Sequence, residues 1–282
     1  MASGNETASA SSANGVGGKG GDGGPLAQGG ESGAQAPRGR TRVVAVTGAA
    51  SFLGTNLIGL LEEDEHVDRI VAVDVKAPST AGPKTRSYEV DFTQPTTEAR
   101  LAEILAAERA DTVVHLAFLA SPSHATAWAH ELESVGTMHV LVAARHAQVR
   151  KFVMWSQTML YGAHPNNPNF LAERHPLRSS SREPFFADKV EAEKEAQKFA
   201  QRSQGSVVTI LRTAPILGPT VRNYLTRYLS RRLVPTMMGF DPLGAWSTKA
   251  ACVTWPVTGF REGVPGRATT TTGPLKASCD AA

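Results

Sequence analysis

The sequence predicts an α/β protein built on a doubly wound parallel sheet, followed by a small, irregular C-terminal substrate region. Three observations carry this prediction. Short runs rich in β-branched residues alternate with stretches of helical period from residue 42 to residue 212. The first run leads directly into a glycine turn, Thr47-Gly48-Ala49-Ala50-Ser51-Phe52-Leu53-Gly54. The second run ends on a carboxylate, Asp74, ~20 residues past that turn, the distance at which an acidic residue can accept both hydroxyls of a ribose.

Residues 42–47 read as a strand covered on both faces, because Val43, Val44 and Val46 stand in an unbroken apolar run. Gly48 permits a sharp turn, and Gly54 lets the next helix pack close to the strand. Such a turn aims backbone N–H groups and the positive end of a helix dipole at one point, where a pyrophosphate fits. Ser51 occupies the place where the middle glycine of the usual fingerprint is expected. Phe52, Leu53, Leu57, Leu60 and Leu61 give residues 52–63 a helical spacing, and residues 69–75 form the strand that ends at Asp74.

Tyr88-Glu89-Val90-Asp91 reads as a short third strand, and residues 97–109 as a helix with Leu101, Ile104 and Leu105 inward. Residues 111–117 give a fourth strand, 124–148 a mostly helical stretch and 151–156 a fifth strand. A charged helix over 187–202, a sixth strand over 207–212 and a helix over 223–233 follow, and Val234-Pro235-Thr236 opens a further segment. Strands alternating with helices at this rhythm give a parallel sheet whose ligands bind beyond the carboxyl ends of the strands.

Outside this stretch the pattern is lost. Residues 1–40 are rich in Gly and Ser and poor in large apolar side chains, so a disordered tail is expected. Residues 244–282, with Thr269-Thr270-Thr271-Thr272 and scattered Gly and Pro, show no sustained period and read as irregular. The expected division is a tail over 1–40, a nucleotide-binding domain over 41–219, and a reduced or irregular substrate-binding region over 220–282.

Composition narrows the function classes. A net charge of +3 with scattered basic residues leaves no footprint for nucleic acid or a membrane surface. The cluster from Arg227 to Arg232 reads as a solvated helix face. The two cysteines, Cys252 and Cys279, lack metal-ligand spacing, so neither a metal site nor a disulfide framework is expected. No apolar run is long enough to span a bilayer, and a cytoplasmic setting is the expectation.

Several separated signals now agree: the glycine turn, Val73-Asp74, Val90-Asp91, His115-Leu116-Ala117, Val135-Gly136-Thr137, the stretch from Ser156 to Gly162, Lys189, and Arg212 to Pro219. In their order and spacing they resemble the extended short-chain dehydrogenase/reductase family, also called NAD-dependent epimerase/dehydratases, over about 42–219. The resemblance implies a Rossmann-type NAD(P)-binding fold with Gly48, Ser51, Phe52, Leu53 and Gly54 under the pyrophosphate. It implies that Asp74 holds the adenosine ribose and favours NAD, while Lys76 leaves NADP open. Asp91 would face the adenine, and Leu116 and Ala117 would let the cofactor lie close to the fourth strand. His115 is expected to be a satisfied buried histidine. The partner implied is a small-molecule substrate, a sugar nucleotide or another hydroxylated compound, and the two long helices offer a homodimer interface.

In that family a tyrosine exchanges the substrate's hydroxyl proton. A lysine four residues on holds the nicotinamide ribose and lowers the tyrosine's pKa, and a Ser or Thr after the fifth strand fixes the substrate oxygen. This chain departs twice. Lys189 is present, but Phe185 stands four residues before it and has no proton to exchange. The Ser/Thr position is Gln157, flanked by Ser156 and Thr158, which are candidates to substitute in part. Lys189 is expected to keep the ribose contact, and Tyr161 is a substrate-pocket candidate. A bound NAD with weak or absent turnover is therefore expected, the alternative being an NAD(H)-binding protein that acts through protein partners.

Overall fold

The computed structural model describes residues 42–168, 170–179, 183–203, 205–218 and 220–233, together with the backbone of 268–272. The tail expected over 1–40, the segment at 234–236 and both cysteines lie outside the described residues.

Strands β1 (Arg42–Thr47), β2 (Val67–Asp74), β3 (Thr85–Glu89), β4 (Thr112–His115), β5 (Lys151–Gln157), β6 (Val207–Thr213) and β7 (Ala268–Thr272) form one sheet in the order β3-β2-β1-β4-β5-β6-β7. Every pairing is parallel. The strand order reverses between β1 and β4, so the carboxyl ends of these two strands open a crevice. Register places Thr47 beside both Val73 and His115, and Gln157 beside Thr213, which aligns the ends that border it.

Helices cover both faces. Leu57, Ile58 and Leu61 of α1 (Phe52–Glu63) pack with Val44, Val46 and Ile70 on one side. On the other, Leu101 and Leu105 of α2 (Thr97–Ala107), Val140 of α4 (Gly136–His146) and Ala192 and Ala196 of α5 (Pro184–Arg202) pack with Val71, Val113 and Phe152. With both faces buried, the strands need the continuous β-branched runs seen in the sequence. Pro184 starts α5 at its first turn, where a missing N–H costs nothing, and so brings Phe185 into the helix.

The expected elements are present with shifted ends. The third strand begins earlier, at Thr85, and the helix expected over 223–233 is the shorter α6 (Tyr224–Leu229), fixed by a capping box of Asn223 and Thr226. The stretch expected as one helix over 124–148 is α3 (Thr126–His130), a π turn (Glu131–Val135) and α4. One expectation is corrected. Part of the region read as irregular is β7, which extends the sheet beyond β6. Its threonine run has β-branched character but no apolar alternation, so periodicity could not reveal it.

Candidate active site

At the carboxyl end of β1 the chain turns through Gly48 at φ +71°, a left-handed conformation that favours glycine. A Cβ there would lie 2.5 Å from the Leu116 carbonyl and 2.6 Å from the Ala117 nitrogen, so β1 and β4 approach as closely as backbone allows. A Cβ at Gly54 would lie 2.8 Å from Ala49 Cα, which is why α1 can start hard against the turn. Ser51 sits at φ −67° and ψ 165°, extended backbone that any residue adopts. The glycine missing from the fingerprint is therefore not needed for conformation, and the Ser51 Oγ instead accepts the Gly54 N–H at 3.0 Å as the cap of α1.

Asp74 ends β2 beside this turn. One carboxylate oxygen accepts the Ala50 N–H at 2.9 Å and the other its own neighbour's, Val75, at 2.7 Å. Asp91 is engaged differently: it accepts from the Thr93 N–H at 3.0 Å, the Thr93 hydroxyl at 2.7 Å and the Gln94 amide at 3.1 Å, all within its own turn. The backbone bond from Thr93, then the two side-chain bonds, hold its carboxyl below the usual range.

An open cleft runs from the amino end of α1 across the crevice, lined by Ser51, Phe52, Leu53 and Leu116 and by Trp155, Gln157 and Tyr224. The structure thus brings the glycine turn, Asp74, Leu116 and Ala117 together at one edge of the sheet, while Asp91 and Thr158 are not among the residues lining the cleft. Thr158 opens a single 3-10 turn, Thr158–Tyr161.

The other three residues expected to act chemically are placed differently from one another. Gln157 lines the cleft, and its carboxamide oxygen is buried without a hydrogen-bond partner. Ser156 faces α5, where its hydroxyl donates to Glu193. Glu193 also pairs with Arg212 at 2.6 Å, and Arg212 donates to the Tyr161 hydroxyl and the Glu173 carbonyl, each at 2.9 Å. Tyr161 therefore belongs to this buried network and is not among the cleft residues, contrary to its expected place in the substrate pocket.

Lys189 differs most from expectation. It is only 3% exposed, and its ammonium donates to both oxygens of Glu133 at 2.7 Å and to the Leu119 carbonyl at 3.2 Å. An ammonium has three donors, so all are committed inside the protein, and a ribose contact would have to displace one of them. The same nitrogen lies 4.6 Å from the centre of the Phe185 ring, so the residue in the tyrosine's place meets the lysine as a cation–π partner. Burial pushes the Lys189 ammonium down and the Glu133 carboxyl up, each opposed by the attraction of the other.

Glu133 carries no signal in the sequence. It sits beside Glu131 in a stretch with helical period, and only the π turn brings it inward, to 1% exposure. His115 fulfils its expectation: it is fully buried, with one ring nitrogen 2.6 Å from the Thr47 hydroxyl and the other 3.0 Å from that of Thr137. Burial lowers its pKa to about 3, so it is neutral.

A parallel sheet that reverses order at a glycine turn, with a carboxylate ending the next strand, defines a Rossmann-type nucleotide-binding fold. The chain belongs to the NAD-dependent epimerase/dehydratase family, which residues 44–239 match. It is 34% identical over 211 residues to an uncharacterized protein of Mycobacterium tuberculosis, covering 71% of this chain and 54% of that one. It is 32% identical over 181 residues to a 3-diazoavenalumate denitrifying reductase of a Streptomyces species, covering 62% of this chain and 57% of that one. The chain thus spans little more than half the length of these relatives. Among solved structures, MoeE5 in complex with UDP-glucose and NAD superposes with a TM-score of 0.64 at 24% identity, covering 81% of this chain and 75% of that one. Among the described residues no helix is long and apolar enough to cross a membrane.

Proposed function

We propose that this chain binds NAD along the carboxyl edge of the sheet, takes a sugar nucleotide as its second ligand, and has weak or absent tyrosine-dependent turnover. The observation that carries the reading is the contrast between an open cradle and a sealed catalytic pair. Gly48 and Gly54 let the turn sit hard against β4 and the start of α1, and the amino end of α1 opens on the cleft, where it favours an anion. Asp74 stands where it can accept from an adenosine ribose and repel a 2′-phosphate, which selects NAD over NADP. The cleft residues fit such a cofactor, which when bound would supply hydride chemistry.

At the other end, Phe185 offers no proton and Lys189 is neutralised by Glu133. Loss of a general acid/base typically costs ~10²- to 10⁴-fold in rate while leaving binding contacts elsewhere in place. The same contrast supports the second reading, an NAD(H)-binding protein that works through partners. The sugar-nucleotide reading draws on MoeE5, whose complex holds UDP-glucose. Trp128 and Met138, 47% and 43% exposed on the outer helices, support a homodimer through that face.

Titration calorimetry tests the cofactor reading. Saturable binding of NAD, tighter than that of NADP, is expected for the folded chain. Absence of saturable binding of either cofactor refutes the proposal.

A further inference from the structure

Phe185 carries no hydroxyl where the family resemblance places one. A phenol nevertheless stands beside it, supplied by another element. Tyr224 packs edge-on against Phe185, with ring centroids 6.3 Å apart and planes at 74°, and lines the same cleft as Gln157 and Trp155. It opens α6, which is anchored by Asn223, whose side-chain amide donates to the Ile216 carbonyl at 2.8 Å. The Tyr224 hydroxyl meets Met159 Sδ, a thioether and a weak acceptor. Tyr161 makes a useful contrast, because its hydroxyl is held by the Arg212 guanidinium inside a buried network.

We propose that Tyr224 is a substrate-contacting residue that donates its phenolic hydrogen to a sugar hydroxyl oxygen of the bound sugar nucleotide. Gln157 lines the same cleft, and its buried carboxamide oxygen lacks a partner, so a group bound there can supply one. A donor and an acceptor lining one cleft suit an alcohol, which is both. The proposal rests on the sugar-nucleotide reading given above. Burial raises the Tyr224 phenol above its ordinary value, so near neutral pH it donates a hydrogen bond and does not accept a proton. Its role is to orient an oxygen, which agrees with binding that does not lead to turnover.

The test uses the full chain, with UDP-glucose and UDP as probes, titrated calorimetrically with and without saturating NAD. Wild type should bind UDP-glucose more tightly than UDP. Tyr224→Phe, which keeps the ring against Phe185, should weaken UDP-glucose by about 3- to 10-fold, the worth of one neutral hydrogen bond, and leave UDP and NAD unchanged. Equal binding of the two probes by wild type, equal weakening of both in the variant, or no weakening of UDP-glucose would each overturn the inference. The wild-type comparison stands even if the variant fails to fold. A chain that binds NAD but not UDP-glucose overturns this inference and leaves the cofactor reading intact. Tyr224-dependent UDP-glucose binding without any NAD binding does the reverse.

Discussion

The two ends of the cleft treat their polar groups in opposite ways. At the glycine turn the polar side chains serve the backbone around an open cleft: Ser51 accepts the Gly54 N–H and Asp74 the Ala50 N–H. At the β5 end, Lys189, Ser156 and Arg212 are each bonded to a buried carboxylate, Glu133 or Glu193. The first end is arranged to receive a group, and the second is satisfied without one. On the proposed reading, the binding half of the fold stays open while the groups of its proton-transfer half are bonded into the core.

The largest effect should come from breaking the satisfied end. Lys189→Met leaves Glu133 as an uncompensated buried acid, which costs about 3–5 kcal/mol when the partner charge is deleted. Denaturant melts should show that loss, and adding Glu133→Leu should recover most of it. If Lys189→Met melts like wild type, Lys189 is not sealed in the folded protein and the contrast between the two ends disappears.

The open end should break in binding as well as in stability. Gly48→Ala puts a methyl group 2.5 Å from the Leu116 carbonyl and places alanine at φ +71°. Strain at such a position costs of order 1–3 kcal/mol of stability, and relieving the clash with Leu116 shifts the turn's N–H groups, so NAD affinity should fall together with the melting temperature. Ser51→Gly should keep the turn and lose only the helix cap, about 1 kcal/mol or less.

Acid should loosen the cofactor half in a defined window. Glu108, at the end of α2, receives bonds from Tyr88, Arg69 and Arg86. Its burial alone would raise the carboxyl, but those three bonds outweigh it and hold the pKa at about 2, against an ordinary 4.5. A depressed acid contributes stability that is complete above 4.5 and is lost as pH falls through about 2. With both arginines partly in water, the screened contribution is about 1–2 kcal/mol. His115 adds a second slope: kept neutral with a folded pKa of about 3, it disfavours the native state as pH falls below 6.5 towards that value. Melting temperature should decline steadily below pH 6.5, and Glu108→Gln should flatten the limb below 4.5. An unchanged limb in that variant would remove Glu108 from the account.

How much of this was legible depended on whether a residue's role is fixed by backbone or by a distant partner. Gly48, Gly54 and Asp74 answer to local conformation and strand position, so spacing located them. The buried strands announced themselves through Val43 to Val46 and their counterparts, because both sheet faces are covered. Lys189 was legible as a position and illegible as a contact: its partner Glu133 lies in a π turn, a local change of period that no apolar pattern marks. The partners of Ser156 and Tyr161 were hidden for the same reason, since Glu193 and Arg212 reach them from α5 and β6. Asp91 satisfies a turn that follows it, a role any aspartate in such a turn can fill.

The smallest effect is the most discriminating. Phe185→Tyr restores the hydroxyl that the family's chemistry uses, and sequence alone suggests that turnover should return. The geometry says otherwise, because the lysine that should lower the tyrosine's pKa already gives its charge and two donors to Glu133 and the third donor to Leu119. The single variant should therefore show no NAD reduction above wild type with UDP-glucose or related sugar nucleotides. Phe185→Tyr combined with Glu133→Gln frees the lysine's charge to act on the new phenol, and any gain should appear in that double variant. The absorbance of the added tyrosine should titrate at lower pH there than in Phe185→Tyr alone, a readout that needs no substrate. Should Phe185→Tyr alone be active, Lys189 would be available to the cleft, and the two ends would differ by one hydroxyl only.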